Sequence, residues 1–210
     1  MRQYLQKNII PIIIEAVFII FVFFDWPEMP YLNFLFYLLL IFYFAIRREY
    51  SFKALKERIT KKQFWKSVLI TFLIIATGFI LTTVIQNIFS DIPLGTVGMR
   101  RDTPFRLLLF AIQTIIFPPL AEEMFYRKYL ISLDGSKNAT IFMVVLSSFL
   151  FAVEHAIYPF GIATYMILGL AFGIAYLLHK DIHAMMMAHF LVNLIGNGVS
   201  VVITAIHMLN

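Results

Sequence analysis

The chain has 210 residues, of which 61% are hydrophobic and only 14% charged, with 23 phenylalanines and a mean hydropathy of +0.85. Soluble domains are about 45–50% apolar and about 25% charged, so this composition excludes a soluble domain and defines a polytopic membrane protein. The absence of cysteine excludes disulfides, thiolate nucleophiles and thiolate metal ligands. The formal net charge of +5 lies mostly in one block beside a predicted span, which reads as membrane-surface charge and not as a nucleic-acid footprint.

Arg2 and Lys7 precede an apolar run from Ile9 to Phe24, the layout of a signal peptide. Asp25-Trp26-Pro27 offers no small-residue cleavage pattern, so the run is read as a first anchor helix, with Glu15 as a tolerated, bundle-facing acid. A second span is predicted from about Tyr31 to Ile46. Arg47 to Lys66 then holds eight Lys/Arg against Glu49 and Glu57, with Phe52, Leu55, Ile59 and Trp65 interleaved. Two readings are open, a basic amphipathic helix on an anionic leaflet or a solvated loop, and both are cytoplasmic.

Ser67 to Phe89 is the third span, followed by an irregular loop, Asp91 to Asp102, marked by Pro93, Gly95 and Gly98. The fourth span begins at Phe105 and meets Pro118-Pro119, which should kink or break it before it continues to about Leu130. After a turn at Asp134 to Asn138 the fifth span covers Ala139 to Ala156. The sixth runs from Tyr158-Pro159-Phe160-Gly161 to Leu178 and contains a Gly169-xxx-Gly173 close-packing pair, which suits contact within the chain as well as a dimer. The seventh follows His179-Lys180-Asp181. With the N-terminus cytoplasmic, fourteen Lys/Arg fall on that side and three (Arg100, Arg101 and Arg106) on the other, as the positive-inside rule requires. The expectation is an all-α transmembrane bundle of about seven spans. Its N-terminal spans, 1–104, include the basic segment 47–66, and its functional bundle covers 105–210.

Ionisable groups inside the spans are costly, about 2.5 to 3.5 kcal/mol for an acid on insertion scales, and mark function by default. They cluster late. Glu122 and Glu123 are followed four residues on by Arg127; His155, with Glu154 beside it, ends the fifth span; His189 and Asn193 lie one turn apart in the seventh. A buried carboxylate suits a general base, a histidine beside it can hold the activated water, and a second histidine with an asparagine supplies oxyanion donors. The same His155, His189 and Glu122 also make up the ligand types of a hydrolytic zinc site with an open position. Sequence leaves the metal and the metal-independent mechanisms both open. His179, His183 and His207 lie near predicted membrane edges and are read as structural. At about 1.5 Å per residue, Glu122, His189 and Asn193 lie roughly 10–17 Å from the cytoplasmic side, whereas His155 falls about 24 Å in.

These residues resemble the CPBP family of CAAX proteases and bacteriocin-processing enzymes. Its pattern stands here as Glu122-Glu123-Met124-Phe125-Tyr126-Arg127, Phe151-Ala152-Val153-Glu154-His155 and His189-Phe190-Leu191-Val192-Asn193. The resemblance spans roughly Leu107 to Asn197. It implies an intramembrane endopeptidase acting on a membrane-associated peptide or prenylated protein, in a bacterial cell membrane, with a role in bacteriocin self-immunity or peptide maturation. It further implies Glu122 as general base with His155, His189 and Asn193 at the oxyanion, and Glu123 and Arg127 in support. Membrane lipid is the expected partner, nucleic acid is not, and the oligomeric state is open. The alternative is a non-catalytic immunity factor or a small proton-coupled transporter, against which the lack of an internal repeat argues.

Overall fold

The computed structural model describes residues 2–24, 29–96, 98–131, 133 and 135–209, with side chains from residue 9 onward. The Asp25-Trp26-Pro27 junction and Asp134 of the expected turn lie outside the described residues. The helices are α1 (Arg2–Val22), α2 (Met29–Ile46), α3 (Phe52–Ile59), α4 (Lys62–Ile88), α5 (Pro104–Tyr129), α6 (Lys137–His155), α7 (Pro159–His179) and α8 (Ile182–Leu209). Among the described residues six of them are long and apolar enough to cross a membrane, and the shorter apolar stretch Ile9–Val22 of α1 stands where the first anchor is expected. The protein is a polytopic all-α bundle.

Helix ends follow local chemistry. Ser51, Thr103 and Ser136 cap α3, α5 and α6, each hydroxyl accepting from the backbone N–H three residues on. Pro104 occupies the first turn of α5, where its missing N–H costs nothing. Lys180 adopts a left-handed conformation (φ 50°) that ends α7, and Asp181 accepts from the N–H groups of His183 and Ala184 to start α8.

Each span buries one stripe and gives the rest to lipid. In α2, Asn33, Phe36, Tyr37, Leu40 and Phe44 are buried while Leu35, Leu38, Leu39 and Phe42 are exposed. Lipid offers no hydrophobic reward for pairing helices, so close approach must provide the contact. The Gly169/Gly173 pair does this between α6 and α7: a Cβ at Gly169 would stand 2.9 Å from the Cα and carbonyl oxygen of Ser148, and one at Gly173 would stand 2.8 Å from Val144 Cγ1. Gly78 packs α4 on α7 in the same way: a Cβ there would stand 2.6 Å from Ala171 Cβ. The core crosses residue 104, joining Phe18, Phe36 and Tyr37 to Met124, Tyr126 and Phe151.

At the basic end the block splits. Its first half forms the short helix α3, with Phe52 84% exposed as a surface-lying helix requires, and its second half opens α4. Arg58 Nη1 ties α3 to the α7–α8 turn through Asp181 Oδ2 at 2.5 Å. Glu49, just beyond α2, accepts from Lys128 (2.8 Å) and Tyr129 (2.5 Å) at the foot of α5. Partial burial pushes its carboxyl up, but these two donors outweigh it and hold the pKa below the ordinary carboxylate value. Because the folded pKa is the lower one, this clamp contributes fully above the ordinary carboxylate pKa and is lost as pH falls through the depressed value.

Two outcomes follow for purified protein in detergent. Gly169→Ala must push backbone apart and is expected to cost about 1–3 kcal/mol, seen as a lower thermal midpoint, while Gly98→Ala, with nothing within 4 Å, leaves it unchanged. On acidification the wild type should lose stability across the Glu49 titration, and Glu49→Gln, already lacking the clamp, should show a shallower loss there.

Candidate active site

The site begins with a defect in α5. Pro118 and Pro119 have no N–H, so the Thr114 carbonyl finds no backbone donor either four or five residues on. A kink or a break is expected at the proline pair, and helical bonding does not break. It widens to π-type turns at Ile112–Ile116 and again at Glu123–Tyr129, either side of the Phe117–Glu122 segment. The orphaned Thr114 carbonyl accepts from Asn197 Nδ2 of α8 at 3.2 Å, and this contact anchors α8 alongside the loosened turn.

Glu122 and Glu123, consecutive on this helix, face different neighbours. Glu123 is fully buried; its Oε1 lies 2.9 Å from His189 Nδ1 and its Oε2 3.7 Å from Arg127 Nε. Arg127, also fully buried, lies over the rings of Phe172 (5.1 Å), Phe151 (5.5 Å) and Tyr126 (5.6 Å), and its Nη1 donates to Ser147 Oγ at 3.0 Å. Ser147 in turn donates to the Tyr126 carbonyl at 2.7 Å, closing the arginine's cage. Glu122 turns to a cavity of about 270 Å³. One of its oxygens accepts from the Tyr37 hydroxyl of α2 at 2.5 Å, and the other, Oε2, has no protein partner.

His155, His189 and Asn193 line this same cavity, so three helices deliver the expected groups to one space. The difference in depth is absorbed because the cavity is tall: its α5 wall runs from Phe110 to Glu122, twelve residues or about 18 Å. Phe151 and Phe172 link the two imidazoles, with ring centroids 4.3 Å from His155 and 4.5 Å from His189. His155 Nδ1 lies 2.8 Å from the Phe151 carbonyl, an acceptor, so Nδ1 carries the hydrogen and Nε2 is left as the second functional nitrogen. His189 Nδ1, against a carboxylate, is in the same condition. The loop after α4 fixes the end of α6: Thr96 forms an antiparallel bridge with Ala156, and Ile157 N–H donates to the Gly95 carbonyl at 3.0 Å. His179, His183 and His207 are not in the cavity wall.

The expected metal ligands can be tested on this geometry. An imidazole that ligates through Nε2 and donates Nδ1–H to a carboxylate or carbonyl is what a metal site asks for. The three side chains do not converge, however: among the described residues no group of three His, Cys, Asp or Glu stands close enough to hold one ion. His155, His189 and Glu122 as placed do not fit a three-ligand zinc site.

A second polar cluster lies beneath the first and was not foreseen. The Tyr126 hydroxyl contacts Glu15 Oε1 of α1 and, at 2.6 Å, Glu154 Oε2 of α6, all buried. A phenol has one hydrogen and can donate to only one of them. The other contact closes when that carboxyl is itself protonated and donates to the phenolic oxygen, so the pair holds a proton. Glu154, next to His155 in sequence, therefore belongs to this cluster and not to the histidine. Tyr37, in electrostatic contact with both Glu154 and Glu122, stands between the two clusters. The sequence signal available was Glu15 itself, an acid in an apolar helix with no partner within reach on that helix.

The polytopic bundle thus brings Glu122, His155, His189 and Asn193 to one buried cavity. Residues 104–195 match the family model for Type II CAAX prenyl endopeptidase Rce1-like, so this segment is similar to that protease family. The chain is also similar to the UPF0177 protein YxdF of Lactococcus lactis, 26% identical over 167 residues, which covers 77% of this chain and 90% of that one. No solved structure matches it significantly.

The shared proton gives a discriminating stability pattern. Glutamine mimics a neutral carboxylic acid, so Glu15→Gln should stay within about 1 kcal/mol of wild type, whereas Tyr126→Phe strands both acids and should cost about 1–3 kcal/mol. Thermal midpoints of the two variants, side by side, check this. Equal losses would contradict the shared-proton arrangement.

Proposed function

We propose that the chain is an endopeptidase that cleaves a membrane-associated peptide bond with water activated by Glu122. The observation that carries this reading is the cavity in which Glu122 keeps one oxygen unpartnered while His155, His189 and Asn193 line the same wall. Glu122 Oε2 takes a proton from water as the water oxygen bonds to the scissile carbonyl carbon, and the carbonyl π pair moves to oxygen. His155 Nε2 accepts the water's other hydrogen and so sets its attack direction. The tetrahedral oxyanion receives hydrogen bonds from Asn193 and from His189. His189 can donate at Nε2 only as the imidazolium, since its Nδ1–H is committed to Glu123. Glu123, which also faces Arg127, is the carboxylate beside that ring. As the tetrahedral species collapses, Glu122 returns its proton to the departing amine nitrogen and the C–N bond breaks. The products are a new carboxylate and a new amine.

The setting is the membrane of a bacterial cell, in keeping with the lactococcal relative, and the substrate is a peptide or a lipidated protein tail. Self-immunity and peptide maturation both use this chemistry.

Cleavage of a peptide library by the detergent-purified protein tests the proposal. Glu122→Gln should lose about 10²–10⁴ of the activity, the span of general acid–base catalysis, with membrane insertion unchanged. Asn193→Ala should lose about 10²–10³ in kcat, as for one oxyanion donor. A chain whose cellular phenotype survives Glu122→Gln would be a binding protein or transporter instead.

A further inference from the structure

The cavity has a direction. Below Glu122, toward the basic end of the bundle, α5 is closed: Met124, Phe125, Tyr126, Arg127, Leu130 and Ile131 are all buried. On α8 the same end is shut by Ala184, Met185 and Ala188, with no exposed surface, and His189 is 4% exposed. Moving the other way, Asn193 and Asn197 are half-buried, as are Thr114 and Phe110 on α5. The wall above Glu122 ends at Met99, in the loop between α4 and α5, and at Phe79, which is 49% exposed. The space therefore opens toward the end of the bundle that carries Arg100, Arg101 and Arg106, not toward the end that carries the basic block.

Which side of the membrane that is follows from charge. The basic end holds all eight Lys/Arg of residues 47–66 together with Lys128, Lys137 and Lys180, against three arginines at the open end. That asymmetry sets the basic end in the cytoplasm. We infer that substrate reaches Glu122 from the extracytoplasmic side, so that the enzyme acts on an exported peptide or on an extracytoplasmic segment of a membrane protein. The inference rests on the proposed protease activity only for the word substrate; the direction of access stands on the packing and the charge asymmetry.

The upper wall has the chemistry for a polypeptide. Gln113 Oε1 accepts from Asn33 Nδ2 at 2.9 Å, which leaves Gln113 Nε2, in a side chain 1% exposed, without a partner at the cavity wall. An unpaired buried amide N–H is costly, and a peptide carbonyl passing at this level is the acceptor it lacks. Asn193 and Asn197 face the same space, so the way down to Glu122 is lined by amides, which match a peptide backbone and carry no charge to trap it. A lipidated cytoplasmic tail would have to enter through the sealed end.

The absence of native cysteine makes the test clean. Single cysteines at Thr114 and Met99 report the cavity, one at Arg100 the open end and one at Lys56 the basic end. Intact cells and inside-out vesicles are each treated with a small membrane-impermeant methanethiosulfonate anion, and residual thiols are then counted by mass-tagging. The expected result is modification of Thr114→Cys, Met99→Cys and Arg100→Cys from outside, and of Lys56→Cys only in inside-out vesicles. Modification of Thr114→Cys from the inner side alone, or from neither side, overturns the inference, as does a pattern that places Lys56→Cys outside. Because labelling needs no turnover, the same series in a Glu122→Gln background separates failure of the access route from failure of the protease reading.

Discussion

The structure is organised around one buried carboxylate, Glu123, which answers both Arg127 and His189. Removing either partner from a buried ion pair costs about 3–5 kcal/mol, because the remaining charge is left in a medium that cannot solvate it. α5 therefore cannot turn about its axis, nor α8 slide along it, without exposing that penalty. The aromatic rings over Arg127 come from α5, α6 and α7, so the same charge also fixes those helices. His189 Nδ1, 2.9 Å from Glu123 Oε1, ties α8 to the same carboxylate, so the support of the fold and the placement of the His189 ring at the cavity wall are one interaction.

Pro118 and Pro119 are the second constraint. In a straight α-helix, Glu122 and Glu123 would present their side chains about 100° apart at fixed height. The π-type turns on both sides change that register and let Glu122 meet Tyr37 of α2 while Glu123 meets α8. π-bulges of this sort concentrate at functional sites, and here the cause is local: two consecutive residues that cannot donate. Asn197 completes the arrangement by satisfying the carbonyl that the prolines abandon, which makes an amide one turn past the His189–Asn193 motif part of the same device.

How much of this could be read in advance depended on what each residue costs in lipid. Glu122, Glu123, Arg127, His155 and His189 stood out because an ionisable group inside an apolar span demands a reason, and the cavity does bring Glu122 to both histidines and Asn193. Span order and number were legible because hydropathy is a property of the chain itself, with boundaries a few residues off, as at α2, which begins at Met29 and not Tyr31. Tyr37 was invisible: among ten tyrosines in an aromatic-rich membrane protein, nothing in the sequence distinguishes it from an interfacial anchor. The pairing of Glu15 with Glu154 through Tyr126 was equally hidden, since it depends on α1 and α6 meeting at one level, which no periodicity encodes. The direction in which the cavity opens is a property of packing at both ends of the bundle, which no single stretch of the sequence encodes.

A protease of the proposed kind has to admit water to a carboxylate without opening a path across the bilayer. Above Glu122 the cavity wall carries Gln113, Thr114, Asn193 and Asn197, amide and hydroxyl groups that water and peptide both satisfy. Below it, Tyr126 with its two acids and the arginine cage still hold buried atoms without a hydrogen-bond partner, among them Glu15 Oε2, Glu154 Oε1, Glu123 Oε2 and Arg127 Nε and Nη2. Hydrogen-bonding demand therefore does not set where water stops. Packing does, because Met124, Phe125, Tyr126, Ala184, Met185 and Ala188 leave almost no exposed surface beneath Glu122.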